Sequence, residues 1–528
     1  VAPARAIARR SFADGRVRNV SFALLFGLVG LIQSVGYRDS YPTVAERLQF
    51  AQSFGANKAV RLFYGIPHDL TSVGGYVSWR FGFLAVFAAA LGVFAATRAL
   101  RGEEDSGRTE IVLAAPLGRR TVFRASLLGV AGGALLLWAA TWLGLLAGGL
   151  AAGPSAYLAL ELAAVCLFFA AAGALASQLA PTRRQALGLG MVAVAVALVA
   201  RIVADTAASL DWLRWLTPLG WAEEMRPFAD PQPAVLGLFA VASALLVAVA
   251  GRIAAARDVG TGLLSGRDSA PPSGRLLSSP TALTLREDRG SLLGWAAGVA
   301  FYAVVVGVLS DSFSAENISQ SLREQVSKLG GASIITPAGA IGLYFLMFAF
   351  VISLFACAQV SAARQEEAES RLETLFALPV GRRAWLGGRL ALAGAATVVL
   401  ALLAALLAWA AAASQGAGVG IVDLLETGLN CLPPALLFLG LSALAFALVP
   451  RATAAVAYGF VSVAFCWYLF GSLLGVPAWT LDLSPFNHLA LVPAQPLDVT
   501  AALTMTAIGL AAGAASLPAF ARRDVVGA

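Results

Sequence analysis

The chain is 528 residues long, 59% hydrophobic and only 13% charged, with a mean hydropathy of +0.78. A soluble domain could not hide that much apolar surface, so the balance excludes a water-soluble enzyme or a nucleic-acid binder and places the chain in a bilayer. Its formal charge of +7 then needs a topological explanation, because membrane chains retain arginine on the side they do not translocate.

The first residues, "VAPARAIARRSFADGRVRN", are basic and polar. They predict no cleavable signal peptide. They predict instead an interfacial helix, with Arg5 and Arg9 one turn apart and Ile7 and Phe12 as points of insertion. Apolar runs then predict spans at 19–36, 78–98, 123–149, 155–180, 184–206 and 233–252, followed by 291–310, 337–362, 386–412, 421–448, 453–474 and 499–521. Twelve spans put both termini on one side. The segments there, with the span ends bordering them, hold 27 arginines and everything else holds 8, so that side is expected to be cytoplasmic. Cys166, Cys357, Cys431 and Cys466 all lie in apolar runs, where thiols pack as small hydrophobes. No disulfide or metal site is expected.

On the outer side, 37–77, 207–232, 311–336 and 475–498 are long connections. Between the sixth and seventh spans, "RDVGTGLLSGRDSAPPSGRLLSSPTALTLREDRG" is rich in Gly, Ser and Pro and reads as a linker. The predicted organisation is a first six-span half with its interfacial helix over 1–253, a cytoplasmic linker over 254–289 and a second six-span half over 290–528. Landmarks recur in order between the halves: "LELAAVC" with "LETGLNC", "APTRR" with "VPRAT", "LTPLGW" with "LSPFNH", and "ARDV" with "RRDV". Such ordered recurrence marks a duplication. Six is an even number, so the copies insert in the same orientation, as parallel repeats about an axis along the membrane normal. A pair of that kind encloses a path, which points to transport.

The strongest recurrence lies between the second and third spans of each half. "RGEEDSGRTEIVLAAPLGRR" from Arg101 returns 263 positions later as "RQEEAESRLETLFALPVGRR" from Arg364. Arg101, Glu103, Glu104, Arg108, Glu110, Pro116, Gly118, Arg119 and Arg120 match Arg364, Glu366, Glu367, Arg371, Glu373, Pro379, Gly381, Arg382 and Arg383. Ile111, Leu113 and Ala114 in the first copy, and Leu372, Leu375 and Phe376 in the second, can form an apolar stripe on a short surface helix. The prolines stop that helix and the glycines allow the turn. Plain anchoring to lipid phosphates would explain the arginines. It leaves the glutamates unexplained, since an anionic leaflet repels them, and exposed carboxylates beside an apolar stripe suit docking of a partner protein.

An acidic pair followed by "LE-x-L-x-x-x-P-V-x-R-R" in this place resembles the coupling-helix region of ABC-2-type exporter permeases. Two fused six-span units resemble the double-length permeases of actinobacterial antibiotic exporters of the tetronasin-export type. The first copy departs slightly, with Ile111 where the family usually has Leu after Glu. The resemblance implies an all-α polytopic membrane protein in the bacterial cytoplasmic membrane, each loop seated on one of two copies of a separate P-loop ATPase. The expected cargo is a hydrophobic or amphipathic compound, as in antibiotic or drug efflux. A P-loop needs G-x-x-x-x-G-K-[ST], and Lys58 and Lys328, the chain's lysines, follow no glycine. The chain is therefore expected to be no enzyme and to bind no cofactor, with ATP and Mg on the partner. Its other expected contacts are membrane lipid and the cargo, with no nucleic acid.

The competing reading is a twelve-span proton-coupled secondary multidrug transporter, whose halves are also parallel repeats. Its loop would read G-x-x-x-D-R-x-G-R-R, and Ala115-Pro116 stands where Asp-Arg is required. A membrane enzyme would need a polar constellation in the bilayer, and His68 and His488 fall outside it.

Inside the spans, Glu161 and Glu426 occupy matching places in the fourth span of each half. Such acids either line a substrate path or reach water near the outer surface. Arg201 and Asp205, four apart, are expected to pair on one helix face. The aromatic stretches around Trp212, Trp215, Trp221 and Trp479 form either an interfacial belt or, as the resemblance implies, re-entrant helices capping the exit.

Overall fold

The computed structural model describes residues 2–55, 61, 64–206, 208–264, 274, 276–310, 337–471 and 477–524, and no β-strand occurs among them. The chain divides into two compact units, Val1–Pro271 and Pro272–Ala528. Eleven helices among the described residues are long and apolar enough to cross a membrane, which makes this an all-α polytopic membrane protein.

In the first unit, the surface helix α1 (Ala2–Asp14) leads into α2 (Arg16–Ser40), and α3 (Val44–Gly55) follows. The span α4 (Val73–Ala99) starts where Ser72 accepts a hydrogen bond from Gly75 N at 3.0 Å, an N-cap. Two short helices come next, α5 (Arg101–Asp105) and α6 (Arg108–Leu113), then the spans α7 (Arg119–Ala147), α8 (Ala152–Leu179) and α9 (Arg183–Thr206). A 3₁₀ segment (Ala208–Leu216) and α10 (Pro218–Met225) precede the last span, α11 (Ala234–Ala256).

The second unit contains α12 (Pro280–Leu309), α13 (Pro337–Ala368), the short α14 (Arg371–Phe376) and α15 (Arg382–Ser414). After these come α16 (Ile421–Leu429), α17 (Leu432–Leu448), α18 (Thr453–Gly471), α19 (Ala478–Leu481) and α20 (Val499–Arg522). Helix α18 occupies the span expected at 453–474, whose last residues, 472–474, lie outside the described residues, as does the expected loop at 311–336.

Without a hydrophobic drive between helices in lipid, small residues set the closest approaches. A Cβ on Gly144 would lie 2.0 Å from Gly27 O between α7 and α2, and one on Gly440 would lie 1.9 Å from Gly509 O between α17 and α20. Around these contacts the cores are aromatic and aliphatic, with Phe26, Phe81 and Phe169 fully buried in the first unit and Phe348, Phe355 and Phe438 in the second. All four cysteines are free thiols, three of them buried.

Two expectations are corrected and a third gains a detail. The N-terminal helix does not aim Phe12 into lipid: Phe12 packs over Gly132, and Ser11 Oγ donates to Ser126 O at 3.0 Å, so α1 lies against α7. The linker expected over 254–289 is shorter. Ser279 caps a helix that begins at Pro280, and residues 260–264 fold back on the first unit through Leu263 N to Gln178 O (3.2 Å) and Leu264 N to Leu179 O (2.9 Å). The fourth span of the second unit runs over Ile421–Leu448 as expected but is interrupted at Asn430 and Cys431, because Pro433 and Pro434 allow α17 to start and cannot continue α16. Glu161 therefore sits inside a continuous helix, whereas Glu426 sits on the short, exposed side of a break.

Candidate functional site

The duplicated loop has one backbone written twice. At the start of each surface helix the chain turns through a left-handed residue, Gly107 (φ 71°) in the first unit and Ser370 (φ 58°) in the second. Each helix runs six residues. A tight i to i+2 turn then crosses each proline, Leu117 N to Ala115 O and Val380 N to Leu378 O, both 2.6 Å. Gly118 (φ −73°, ψ 144°) and Gly381 (φ −72°, ψ 134°) then cap the next span in extended conformation. These glycines do not supply a left-handed turn, contrary to expectation. A Cβ on either would come no closer than 4.0 Å to anything in the chain.

A non-glycine residue at positive φ costs on the order of 1 kcal/mol or more. Ser370→Gly is therefore expected to stabilise the protein by about 1 kcal/mol, read as a higher thermal midpoint. A lower midpoint would show that the serine side chain carries an interaction outweighing the strain.

The repeated residues separate into an inner and an outer set. Glu104 takes Arg101 Nη1 at 2.9 Å on one oxygen and Arg257 Nη2 at 2.5 Å on the other. Glu367 is fully buried and takes Arg523 through both oxygens, at 2.5 and 2.9 Å, with Arg364 at 3.2 Å. Arg119 Nη1 donates to Arg257 O at 2.5 Å, and Arg382 Nη1 donates to Arg523 O at 2.6 Å. The same clasp thus ties each loop to the end of the last helix of its own unit. Arg101 is buried and completes the first clasp through Thr261 O (2.8 Å), Gly260 O (2.7 Å) and Pro181 O. Glu103 meets Arg108 at 3.5 Å, Glu366 meets Arg389 at 2.7 Å, and Arg371 meets Glu369 at 2.7 Å.

The outer set is exposed in both copies: Glu110, Pro116, Gly118 and Arg120, with Glu373, Pro379, Gly381 and Arg383. Each Arg-Arg pair is therefore split, with Arg119 and Arg382 turned inward and Arg120 and Arg383 outward. The apolar stripe needs correction in the first copy. Ile111 is 75% exposed and Ala114 is exposed, while Val112 and Leu113 are half-buried; in the second copy Leu372 is buried and Leu375 and Phe376 are half-buried.

Sequence reasoning gave no role to Arg257 and Arg523. Their signal was the recurrence of "ARDV" and "RRDV". It also missed a charge cluster at the far end of the first unit. Buried Arg201 lies 3.7 Å from Asp205 and 3.5 Å from Glu223. Arg214 meets Asp205 at 3.3 Å and Glu224 at 3.1 Å, and Arg226 meets Glu224 at 2.5 Å. Burial raises the Glu223 carboxyl well above its ordinary range, against the pull of Arg201. Burial also lowers the His68 imidazole, and Arg226 acts in the same direction. Glu161 lies beside this cluster, 4% exposed, bordering a cavity of about 30 Å³ with His68 and Glu223.

Trp221 is buried and donates to Trp215 O at 2.6 Å, while Trp212, Trp215 and Trp479 are more than half exposed. Thr217 Oγ1 to Ala197 O and Ser484 Oγ to Ala464 O, both 2.8 Å, pin the two outer segments in the same way. Among the described residues no group of three His, Cys, Asp or Glu side chains is placed to hold a metal ion.

The family described as "Multidrug efflux system permease Rv1217c, C-terminal domain" matches residues 44–253 and 277–521. The multidrug efflux system permease protein Rv1217c of Mycobacterium tuberculosis is 32% identical over 491 residues, covering 92% of this chain and 88% of that protein. Both matches reach far beyond the two loops, into the spans and outer segments whose contacts repeat between the units. On that extent of agreement, the chain belongs to the Rv1217c family of efflux-system permeases.

Proposed function

We propose that the chain is the membrane-spanning subunit of an ATP-driven exporter, carrying both permease halves and moving hydrophobic or amphipathic compounds out of the cytoplasm. The observation that carries this reading is the pair of matched outer faces, Glu110 to Arg120 and Glu373 to Arg383. Each is exposed, presents a glycine whose missing side chain nothing in the chain requires, and is clasped from behind to the unit's last helix. A surface left flat and charged in two copies suits two copies of one docking partner. A separate P-loop ATPase is that partner, holding the ATP and Mg that this chain has no motif to bind. The relative's name as a multidrug efflux permease supports the cargo class.

In this reading the loops face the cytoplasm at a bacterial inner membrane. Closure of the ATPase dimer then shifts the halves between inward-open and outward-open populations. Glu161, buried with Oε2 unpartnered beside a cavity, is the acid assigned to the substrate path; Glu426, exposed beyond the helix break, is not its structural equivalent.

The fourfold exchange Glu110→Arg, Arg120→Glu, Glu373→Arg and Arg383→Glu tests this. It is expected to abolish co-purification with the ATPase and ATP-driven efflux while leaving insertion and the thermal midpoint unchanged. Reversing Glu104 or Glu367 would be a poorer test, since both belong to the inner clasp. Undiminished assembly of the fourfold variant would reject docking. Substrate movement by purified chain on a proton gradient without an ATPase would install the secondary-transporter reading.

A further inference from the structure

The first unit contains a cavity of about 270 Å³ where α1, the start of α2, the end of α4 and the surface helix α6 converge. Close-packed interiors hold few voids larger than a water molecule, and this one approaches the ~300 Å³ at which small-molecule pockets begin. In the corresponding loop of the second unit, larger side chains stand at matching positions. The places of the lining residues Leu113, Val122 and Ala254 are taken there by Phe376, Trp385 and Phe520. Their rings pack together, 5.9 Å between Phe376 and Trp385 and 5.5 Å between Trp385 and Phe520.

The charge on the cavity wall is unbalanced. Arg10 is shared with Asp14 (3.7 Å) and Glu103 (3.9 Å), and Arg257 is committed to Glu104. Arg18 and Arg98, both half-buried and both lining the cavity, form no ion pair among the described residues; Arg18 reaches only Asn19 Oδ1, at 3.2 Å. Arg108 and Arg119 also line the space, paired with Glu103 and Asp258, and the apolar part of the wall includes Ile7 from α1 and Val112 and Leu113 from α6.

We propose that this cavity binds a phosphate-bearing amphiphile, its anionic head between Arg18 and Arg98 and its apolar part against Ile7, Val112 and Leu113. The site lies at the ends of two spanning helices, where acidic phospholipid heads are concentrated, so membrane phospholipid is the favoured source. A bound molecule would join α1 to α6 and fill, in the first unit, the volume that aromatic side chains fill in the second. The assignment rests on the cavity and its arginines, and stands whether or not the outer face binds an ATPase.

The test uses the purified full chain and three probes: nanodiscs of phosphatidylcholine doped with phosphatidylglycerol, short-chain phosphatidylglycerol, and inorganic phosphate. Native mass spectrometry is expected to show retained phosphatidylglycerol in preference to phosphatidylcholine. Arg18→Gln with Arg98→Gln should weaken it about thirtyfold, from roughly fivefold per arginine. Leu113→Phe with Val122→Trp and Ala254→Phe should displace it by filling the space, with the thermal midpoint as the control for folding. Binding of inorganic phosphate with the same arginine dependence would support the site with a soluble phosphate ester as its source. Equal retention of phosphatidylcholine by the unmutated protein, or unchanged lipid retention in both folded variants, would overturn the proposal.

Discussion

Glu367→Gln is expected to destabilise the protein by about 3–5 kcal/mol, the usual cost of removing one partner from a buried ion pair. Glu367 is fully buried and holds Arg523 through two hydrogen bonds. The Arg523 guanidinium also lies 5.0 Å from the Phe446 ring and 4.9 Å from the Phe520 ring, so little water can replace the lost carboxylate. Glu104→Gln should cost roughly half as much. Its side chain is 12% exposed, and Arg257 keeps Gln178 Oε1 at 2.8 Å and Thr261 O at 2.6 Å. Replacing Glu367 and Arg523 together by methionine should recover part of the loss, because one of the two guanidinium groups that lose the carboxylate is removed with it and Arg364 alone is left. Thermal unfolding of the purified variants measures all three. Equal losses for Glu367→Gln and Glu104→Gln would show that burial does not set the difference.

Arg201→Met should cost a comparable amount at pH 8, and the deficit should shrink as pH falls. The substitution removes the cation 3.5 Å from Glu223 and 3.7 Å from Asp205, leaving Arg214 as their shared partner. Burial already raises the Glu223 carboxyl and Arg201 opposes that rise, so its removal raises the group further. A carboxyl whose folded value exceeds its unfolded one contributes stability that is fully present below the unfolded value, near 4.5, and is lost as pH climbs through the folded value. The unmutated protein should show the same slope with smaller amplitude, and Glu223→Gln should flatten it. Unfolding midpoints between pH 5 and pH 8 decide the matter; a variant that gained stability towards pH 8 would contradict the assignment.

The spans and the duplicated loop were legible because hydropathy and recurrence are properties of neighbouring residues. The inward aim of Glu104 and Glu367 was not. Their partners lie 153 and 156 positions away, and nothing local distinguishes them from Glu110 and Glu373, which face outward. The stripe in the first copy failed for a different reason. Six residues make under two turns, too few for periodicity to choose a face. Ile111 was drawn in by its hydrophobicity, although the second copy carries Thr374 at that position and buries Leu372, Leu375 and Phe376. Arg201 and Asp205 were readable as a pair at helical spacing, but Arg214, Glu223 and Glu224 join them only through the fold of the outer segment. The helix break before Pro433 could have been read from that dipeptide, and it would have separated Glu426 from Glu161.

The strand of residues that closes the first clasp is also the beginning of the connection to the second unit. Tension along that connection would therefore act on the clasp in a fixed order. The backbone bonds from Leu263 and Leu264 would yield first, then Thr261 and Gly260 would peel from Arg101, and only afterwards would Arg257 be drawn from Glu104. A deletion in the connection is therefore expected to loosen the first clasp, whereas the second, closed by Arg523 at the end of α20, carries no such tie.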